Sequence, residues 1–312
     1  MILHNNNESF ISLINIVSDY YKIDPSHVEK DYFVTLVLKE LVNKIPGLVF
    51  KGGTSLLKCY KLVDRFSEDI DLTLESTSQT QSQKRLLKKI IVEATSKLNL
   101  KLLNIEDIRS RRDYNCYRVE YPKQYFSESI KPILLIETTY ISTSYPIELR
   151  PVTSILYDYL KEMGNEGAIK KYELEPFDIK VQCLERTLVD KVFALCDYLV
   201  TDRITRNSRH IYDLSRILTK VEMDSNLKVL VKQVREERRE NHLCYSAQEG
   251  ANVQELLRAI VVSNIYKKDY NKVTKAMMFK EVSYEEAIEA IKKIIDSEIF
   301  SVEKSECGVY YG

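Results

Sequence analysis

Hydrophobic residues recur along this chain with two different periods, and the change between them divides it. From Glu8 to Tyr21 the apolar positions keep helical spacing. Asp24-Pro25 follows, a capping residue and a first-turn proline that predict a second helix running to about Asn43. Within VEKDYFVTLVLKEL, Phe33, Val37 and Leu41 stand at four-residue spacing, an apolar stripe with charge elsewhere. Pro46-Gly47 ends it. Leu48-Val49-Phe50 reads as a short strand running into Gly52-Gly53, and Thr54 to Val63 as the helix after the turn. Asp69 to Leu74 alternates polar and apolar residues, as a half-buried strand does. Between Gln79 and Leu98, QSQKRLLKKIIVEATSKL predicts an amphipathic helix with a basic outer face. Strands are expected around Tyr117 to Glu120 and Ile133 to Tyr140, the second rich in β-branched residues. Beyond about Pro151 the period is helical, with no strong strand signal. There Ser283-Tyr-Glu-Glu286 has capping-box spacing ahead of Ala287, Ile288, Ile291 and Ile295. The expectation is an α+β fold, with a mixed β-sheet and helices over residues 1–150 and a helical domain over 151–312. No internal repeat or low-complexity segment interrupts it.

Composition narrows the partners. Lys plus Arg equals Asp plus Glu at 46 each, so a nucleic acid would have to be met by a local basic patch. Cys59, Cys116, Cys183, Cys196, Cys244 and Cys307 form no C-x-x-C pair and read as buried free thiols of a reducing compartment. MILHNNNESF has no signal-peptide character and nowhere do 18 apolar residues run together, so a cytoplasmic protein without membrane association is expected. The four His lack metal-ligand spacing, and neither a nucleophile elbow nor a Walker lysine is present, which removes protease, esterase and P-loop readings.

The chemistry lies elsewhere. In Lys51-Gly52-Gly53-Thr54-Ser55 a strand ends in two glycines and a helix begins with two hydroxyl residues. Glycines let a backbone approach phosphate, and hydroxyls with helix-start N–H groups can bind its oxygens. Arg65-Phe-Ser67-Glu-Asp69-Ile-Asp71 follows. On a strand Asp69 and Asp71 face one side while Ile70 and Leu72 face the other. Two convergent carboxylates repel unless a cation joins them, and hard oxygen ligands suit magnesium or manganese, which can bridge triphosphate oxygens. Taken alone, the glycine pair is a turn and Asp-Ile-Asp a solvated strand edge; their succession favours the catalytic reading. Glu137 is a carboxylate in an otherwise apolar strand, costly unless it is paired or metal-bound.

Strand, Gly-Gly, helix and carboxylate strand together resemble the catalytic motif of the polymerase-β nucleotidyltransferase superfamily. VEKDYFVTLVLKEL, VFKGGTSLLKCY and DRFSEDIDL, in this order, resemble the AbiE (AbiEii) abortive-infection toxins, the branch that includes the MenT toxins. Fifteen residues separate Gly53 from Asp69, in keeping with this branch. The resemblance implies a nucleotidyltransferase-type sheet domain and a helical domain that completes the active site. It implies a magnesium-bound nucleoside triphosphate as substrate, with Asp69, Asp71 and Glu137 as metal ligands. It places the nucleotide on Lys51, Gly52, Gly53, Thr54, Ser55, Arg65, Ser67 and Arg209. Lys191 and Asp213, 22 residues apart, match the catalytic lysine and aspartate. From the residues alone, Lys191 would be a surface lysine on an amphipathic helix, Asp213 a plain helix-surface residue and Arg209 a member of an ion pair. Glu29, Lys30 and Asp31 match too, with no chemical step of their own. The motifs span roughly residues 26–220. Related toxins attach nucleotides to the 3′ end of tRNA, which blocks translation, and a cognate antitoxin restrains them. Compatible surface exists: Arg109, Arg111 and Arg112 near Tyr114 and Tyr117; Lys84, Arg85, Lys88 and Lys89; and Lys267, Lys268, Lys272 and Lys275 with Tyr266 and Tyr270. Transfer to a protein hydroxyl, or an idle module that binds nucleotide or antitoxin, remain the alternatives.

Overall fold

The structure, a computed structural model, describes residues 2–75, 80–127, 130–140 and 144–301. Gln79, where the basic helix was expected to begin, and Cys307 lie outside them. The chain forms two units, Met1–Cys183 and Leu184–Gly312.

In the first unit, Asn6 caps α1 (Asn7–Tyr21) by accepting the Ser9 N–H. Asp24 does the same for α2 (Pro25–Val42) with the Ser26 N–H. The stripe of Phe33, Val37 and Leu41 is fully buried, but α2 is not one-sided: Glu29, Lys30 and Asp31 are buried as well. Charges at that depth persist only when paired, and their partners lie in the functional site. Next come β1 (Leu48–Lys51) and α3 (Gly52–Lys58), the latter beginning at the first glycine and ending five residues before Val63. The chain then turns back irregularly, with Lys61 at φ 49°, to enter β2 (Asp69–Leu74) antiparallel to β1. Thr80 and Gln83 form a reciprocal capping box on α4 (Gln81–Lys97). There follow β3 (Lys101–Leu102), β4 (Tyr114–Glu120), β5 (Leu134–Thr139), β6 (Ile147–Val152), α5 (Ile155–Glu162), α6 (Glu166–Lys171) and β7 (Phe177–Gln182).

The strands make one seven-stranded mixed sheet, in the order β3-β4-β5-β2-β1-β7-β6. β2 runs parallel to β5 and β1 parallel to β7, and the other neighbours are antiparallel. Ile70, Leu72, Leu134 and Ile136 share a core with Val37, Leu41, Leu87 and Ile91 from α2 and α4. Beyond Pro151, where the helical period predicts no strong strand, β7 is a strand, and β6 reaches Val152. Residue 150, the expected domain boundary, therefore falls inside β6, because the sheet is not complete until β7 lies beside β1.

The second unit is helical: α7 (Leu184–Val200), α8 (Arg209–Ile217), α9 (Ser225–Arg239), α10 (Val253–Ser263), α11 (Lys267–Asp269) and α12 (Tyr284–Asp296). Ser283 caps α12 through the Glu286 N–H, as its spacing predicts. Arg186 pairs with Glu237 at 2.8 Å, tying α7 to α9. Arg238 pairs with Asp197 at 2.9 Å and lies over the Phe193 ring. Among the described residues no helix is long and apolar enough to cross a membrane. Of the thiols, Cys59 and Cys196 are buried while Cys116, Cys183 and Cys244 are only half-buried.

Candidate active site

The site is built where β1 ends. Gly52 has φ +78°, and a Cβ placed on it would stand 1.9 Å from Asp71 Oδ2. This position therefore needs glycine twice over, for its backbone and for the carboxylate lying on it. A Cβ on Gly53 would meet Arg65 Nη2 at 2.7 Å and Ser67 Oγ at 3.0 Å. Arg65 is buried behind the turn, with Nη1 donating to the Phe66 carbonyl at 3.0 Å. The Thr54 hydroxyl reaches Ser67 Oγ at 2.9 Å and donates to the Asp69 carbonyl at 2.6 Å. Ser55 donates to the Gly52 carbonyl at 2.9 Å. Both hydroxyls are buried and directed at the protein, so they fix the turn against β2. Lys51, Gly52, Gly53 and Ser67 keep partial exposure.

Register brings the acids together. Asp71 pairs across the sheet with Lys51 on β1 and with Glu137 on β5, and Glu137 pairs in turn with Cys116 on β4. Residues that pair share a face, so Lys51, Asp71, Glu137 and Cys116 form one row across four strands. Asp69, two residues from Asp71, lies on the same face, while Ile70 and Leu72 are buried on the other. Burial, then the charges of Asp71 and Asp69, push the Glu137 carboxyl up to about 7. Tyr114 on β4 lies close to Glu137, and its ring remains exposed.

The buried charges of α2 stand directly behind. Lys30 Nζ pairs with Glu68 Oε2 at 2.5 Å and donates to the Lys131 carbonyl at 2.7 Å. Burial lowers the Lys30 pKa against the opposing pull of Glu68. Asp31 pairs with Lys58, the last residue of α3, at 2.5 Å and accepts the Ile155 N–H at 2.8 Å. Glu29 accepts the Gln124 N–H at 2.6 Å and the Tyr125 N–H at 3.3 Å. These three residues brace β2, α3 and the approach to β5. Glu68 and Lys131 were missed in the sequence: Glu68 is masked by the acids after it, and Lys131 carries no motif. Lys131 Nζ lies 3.5 Å from Asp69 Oδ1 and 3.9 Å from Glu68 Oε1.

In the second unit Lys191 on α7 and Asp213 on α8 form a 2.7 Å ion pair, and both are buried. Neither is the plain helix-surface residue its own segment would make it. Arg209 opens α8, one turn before Asp213, and is half-buried.

The aromatic half of the expected nucleic-acid surface is largely absent. Tyr117, Tyr266 and Tyr270 are buried, and the latter two donate to the Leu195 and Val282 carbonyls. Large aromatics whose polar end finds a buried partner belong to the core. Lys84 is spent on Asp113 at 2.6 Å and Lys88 on the Ile108 carbonyl at 2.9 Å. Arg109, Arg111, Arg112 and Tyr114 are exposed.

Among the described residues no three His, Cys, Asp or Glu side chains close around a point as a ready-made metal cage. Asp69, Asp71 and Glu137 do fit a hard divalent ion bound in the open manner of magnesium, which takes one or two carboxylates and completes its shell with substrate phosphates. The donors are all oxygen, and the like charges that raise Glu137 are what a cation would relieve.

The family model of the nucleotidyl transferase AbiEii toxin, type IV TA system, matches residues 37–293. The chain belongs to this family. It is a toxin nucleotidyltransferase of a type IV toxin–antitoxin system, and the match carries the AbiEii region through α9, α10 and into α12, well past the motifs that end near 220. MenT4, a nucleotidyltransferase toxin from Mycobacterium tuberculosis H37Rv, superposes with a TM-score of 0.58 at 15% identity, over 93% of this chain and 90% of that one, and so shares the fold. JHP933 from Helicobacter pylori aligns at 16% identity over 83% of this chain and 88% of its own, with a TM-score of 0.42. No curated protein sequence matches.

Proposed function

We propose that this AbiEii toxin adds nucleotides from a nucleoside triphosphate to the 3′ end of tRNA and so blocks translation. The observation that carries the site is the row Lys51–Asp71–Glu137, with Asp69 on the same face and Gly52 under the Asp71 carboxylate. The acceptor 3′ oxygen forms a bond to the α-phosphorus, the bond to pyrophosphate breaks, and the hydroxyl proton leaves to solvent or a nearby carboxylate. Asp69 and Asp71, with Glu137 beside them, would hold magnesium or manganese, which would offset the triphosphate charge and make the attacking hydroxyl more acidic. Gly52 and Gly53 let the backbone approach the triphosphate, Lys51 and Ser67 flank it, and Thr54, Ser55 and Arg65 keep the turn in place. Lys191, oriented by Asp213, and Arg209 are assigned to the same reaction from the second unit, as cations for the charge that grows on the leaving pyrophosphate.

An RNA acceptor is supported by one feature of the first unit. The exposed segment with Arg109, Arg111 and Arg112 runs directly into β4 at Tyr114, two residues before Cys116, the β4 partner of Glu137. Arginines with an exposed aromatic suit an RNA backbone and an unstacked base. The test is incubation with each of the four labelled triphosphates in turn, against total RNA and total protein. Label on tRNA-sized RNA, dependent on the wild-type site, is expected. Label on protein alone would replace this acceptor with a protein hydroxyl.

A further inference from the structure

Lys131 places its ammonium 3.5 Å from Asp69 Oδ1, against one of the carboxylates assigned to the metal. Its main chain is held independently of that ammonium. The Lys131 N–H donates to Glu68 Oε2 at 3.0 Å and the Lys131 carbonyl accepts from Lys30 at 2.7 Å. The side chain is 36% exposed, whereas Lys30 on the other side of Glu68 is wholly buried. One end of the residue is therefore fixed and the other can move. Its two carboxylate neighbours differ. Glu68 already has Lys30 as a close partner, so the longer 3.9 Å contact to Lys131 adds little. Asp69 shares its face with Asp71 and Glu137, and the negative charge there draws a cation.

We propose that Lys131 is an exchangeable counter-ion of the site, occupying Asp69 until a divalent metal takes that carboxylate and then pairing with the phosphates of the incoming triphosphate. A metal and an ammonium compete for the same oxygen, and the metal wins at close range because it carries twice the charge. The displaced ammonium remains on a short tether beside a triphosphate of several negative charges. This rests on the reading of Asp69 as a metal ligand.

The exchange gives two effects of opposite benefit, which a merely structural lysine would not. In the full chain, Lys131→Met keeps the stem and both main-chain anchors and removes the charge. Manganese binding without nucleotide, followed by titration calorimetry or the resonance of free manganese, should tighten by about threefold to tenfold because a competitor is gone. At saturating metal, KM for the triphosphate should rise by about tenfold because a phosphate contact is gone. Lys131→Arg should stay near wild type in both. Unchanged manganese affinity, or unchanged KM, in Lys131→Met overturns the proposal. Asp69→Asn separates it from the underlying reading: if that variant binds manganese and transfers nucleotide normally, the metal site itself is wrong. If Asp69→Asn is inactive while Lys131→Met is unaltered, only the counter-ion role falls.

Discussion

Gly52 lies beneath the carboxylate of Asp71, so closely that the smallest side chain at 52 would overlap Asp71 Oδ2. Gly52→Ala therefore does two things. It forces a left-handed backbone on alanine, costing roughly 1–2 kcal/mol, and it pushes the carboxylate off its place. A displacement of about 1 Å at a reacting centre can cost about a hundredfold in rate. The expected outcome is a modest fall in melting temperature with a far larger fall in nucleotide transfer. Equal, small losses in both would separate the turn from the chemistry.

Asp69→Asn or Asp71→Asn should lower transfer by about a hundredfold or more, since each removes a charge that holds the metal. Neither should weaken the fold, because both carboxylates lie on the partly exposed face and removing one relieves repulsion on Glu137. The same assignment requires that exhaustive chelation abolish activity and that magnesium or manganese restore it. Transfer that survives chelation would exclude a metal-bound triphosphate.

Glu29 offers a test of the brace that does not touch catalysis. Burial pushes its carboxyl up to about 7, even though two backbone N–H groups pull the other way. The folded state therefore holds the proton more tightly than the unfolded chain does. Its contribution to stability is fully present below the ordinary carboxylate value and is lost as pH rises toward and through 7. Glu29→Gln cannot titrate, and whatever the amide costs in hydrogen bonding is independent of pH. The stability of the variant relative to wild type should thus improve steadily between pH 5 and pH 8 in denaturant titrations. A constant difference across that range would show that Glu29 is not raised.

The parts of this molecule that were legible in the sequence are those set by neighbours along the chain. β2 runs from Asp69 to Leu74 as its alternation predicts, and Asp24 and Ser283 cap the helices they precede. The carboxylate pair, the glycine turn and Glu137 are local too, and register brings them to one face. β7 carried a usable signal in Phe177-Asp-Ile-Lys-Val-Gln182, with Ile179 and Val181 buried, but it stands between helical stretches that outweigh it. β6 contains Pro151 and lies at the sheet edge, where a missing N–H is tolerated and the pattern weakens. What could not be read was pairing over distance. That Lys30 faces Glu68, Lys58 faces Asp31 and Lys131 faces Asp69 depends on elements 27 to 62 residues apart meeting in space. Tyr266 and Tyr270, near four lysines in sequence, are buried for the same reason.

Lys191 and Asp213 test whether the second unit takes part in the reaction. As a surface lysine, Lys191 would be removable at a stability cost of about 0.5 kcal/mol or less. It is instead buried against a fully buried Asp213 at 2.7 Å, so Lys191→Ala breaks a buried ion pair, a loss of up to about 3–5 kcal/mol. A slow Lys191→Ala variant could therefore be slow merely because it is unfolded. The double variant Lys191→Met/Asp213→Leu removes both charges and keeps apolar volume, and such replacements of buried pairs are often neutral for stability. If the pair is structural, melting temperature and transfer rate should both return in the double variant. If Lys191 supplies charge to the triphosphate, the melting temperature should return while the rate stays down by about a hundredfold. The double should then be little slower than folded Lys191→Met alone, because groups acting as a unit are not additive. Wild-type transfer by the stable double variant would remove Lys191 and Asp213 from the reaction and leave catalysis to the acids of the first unit.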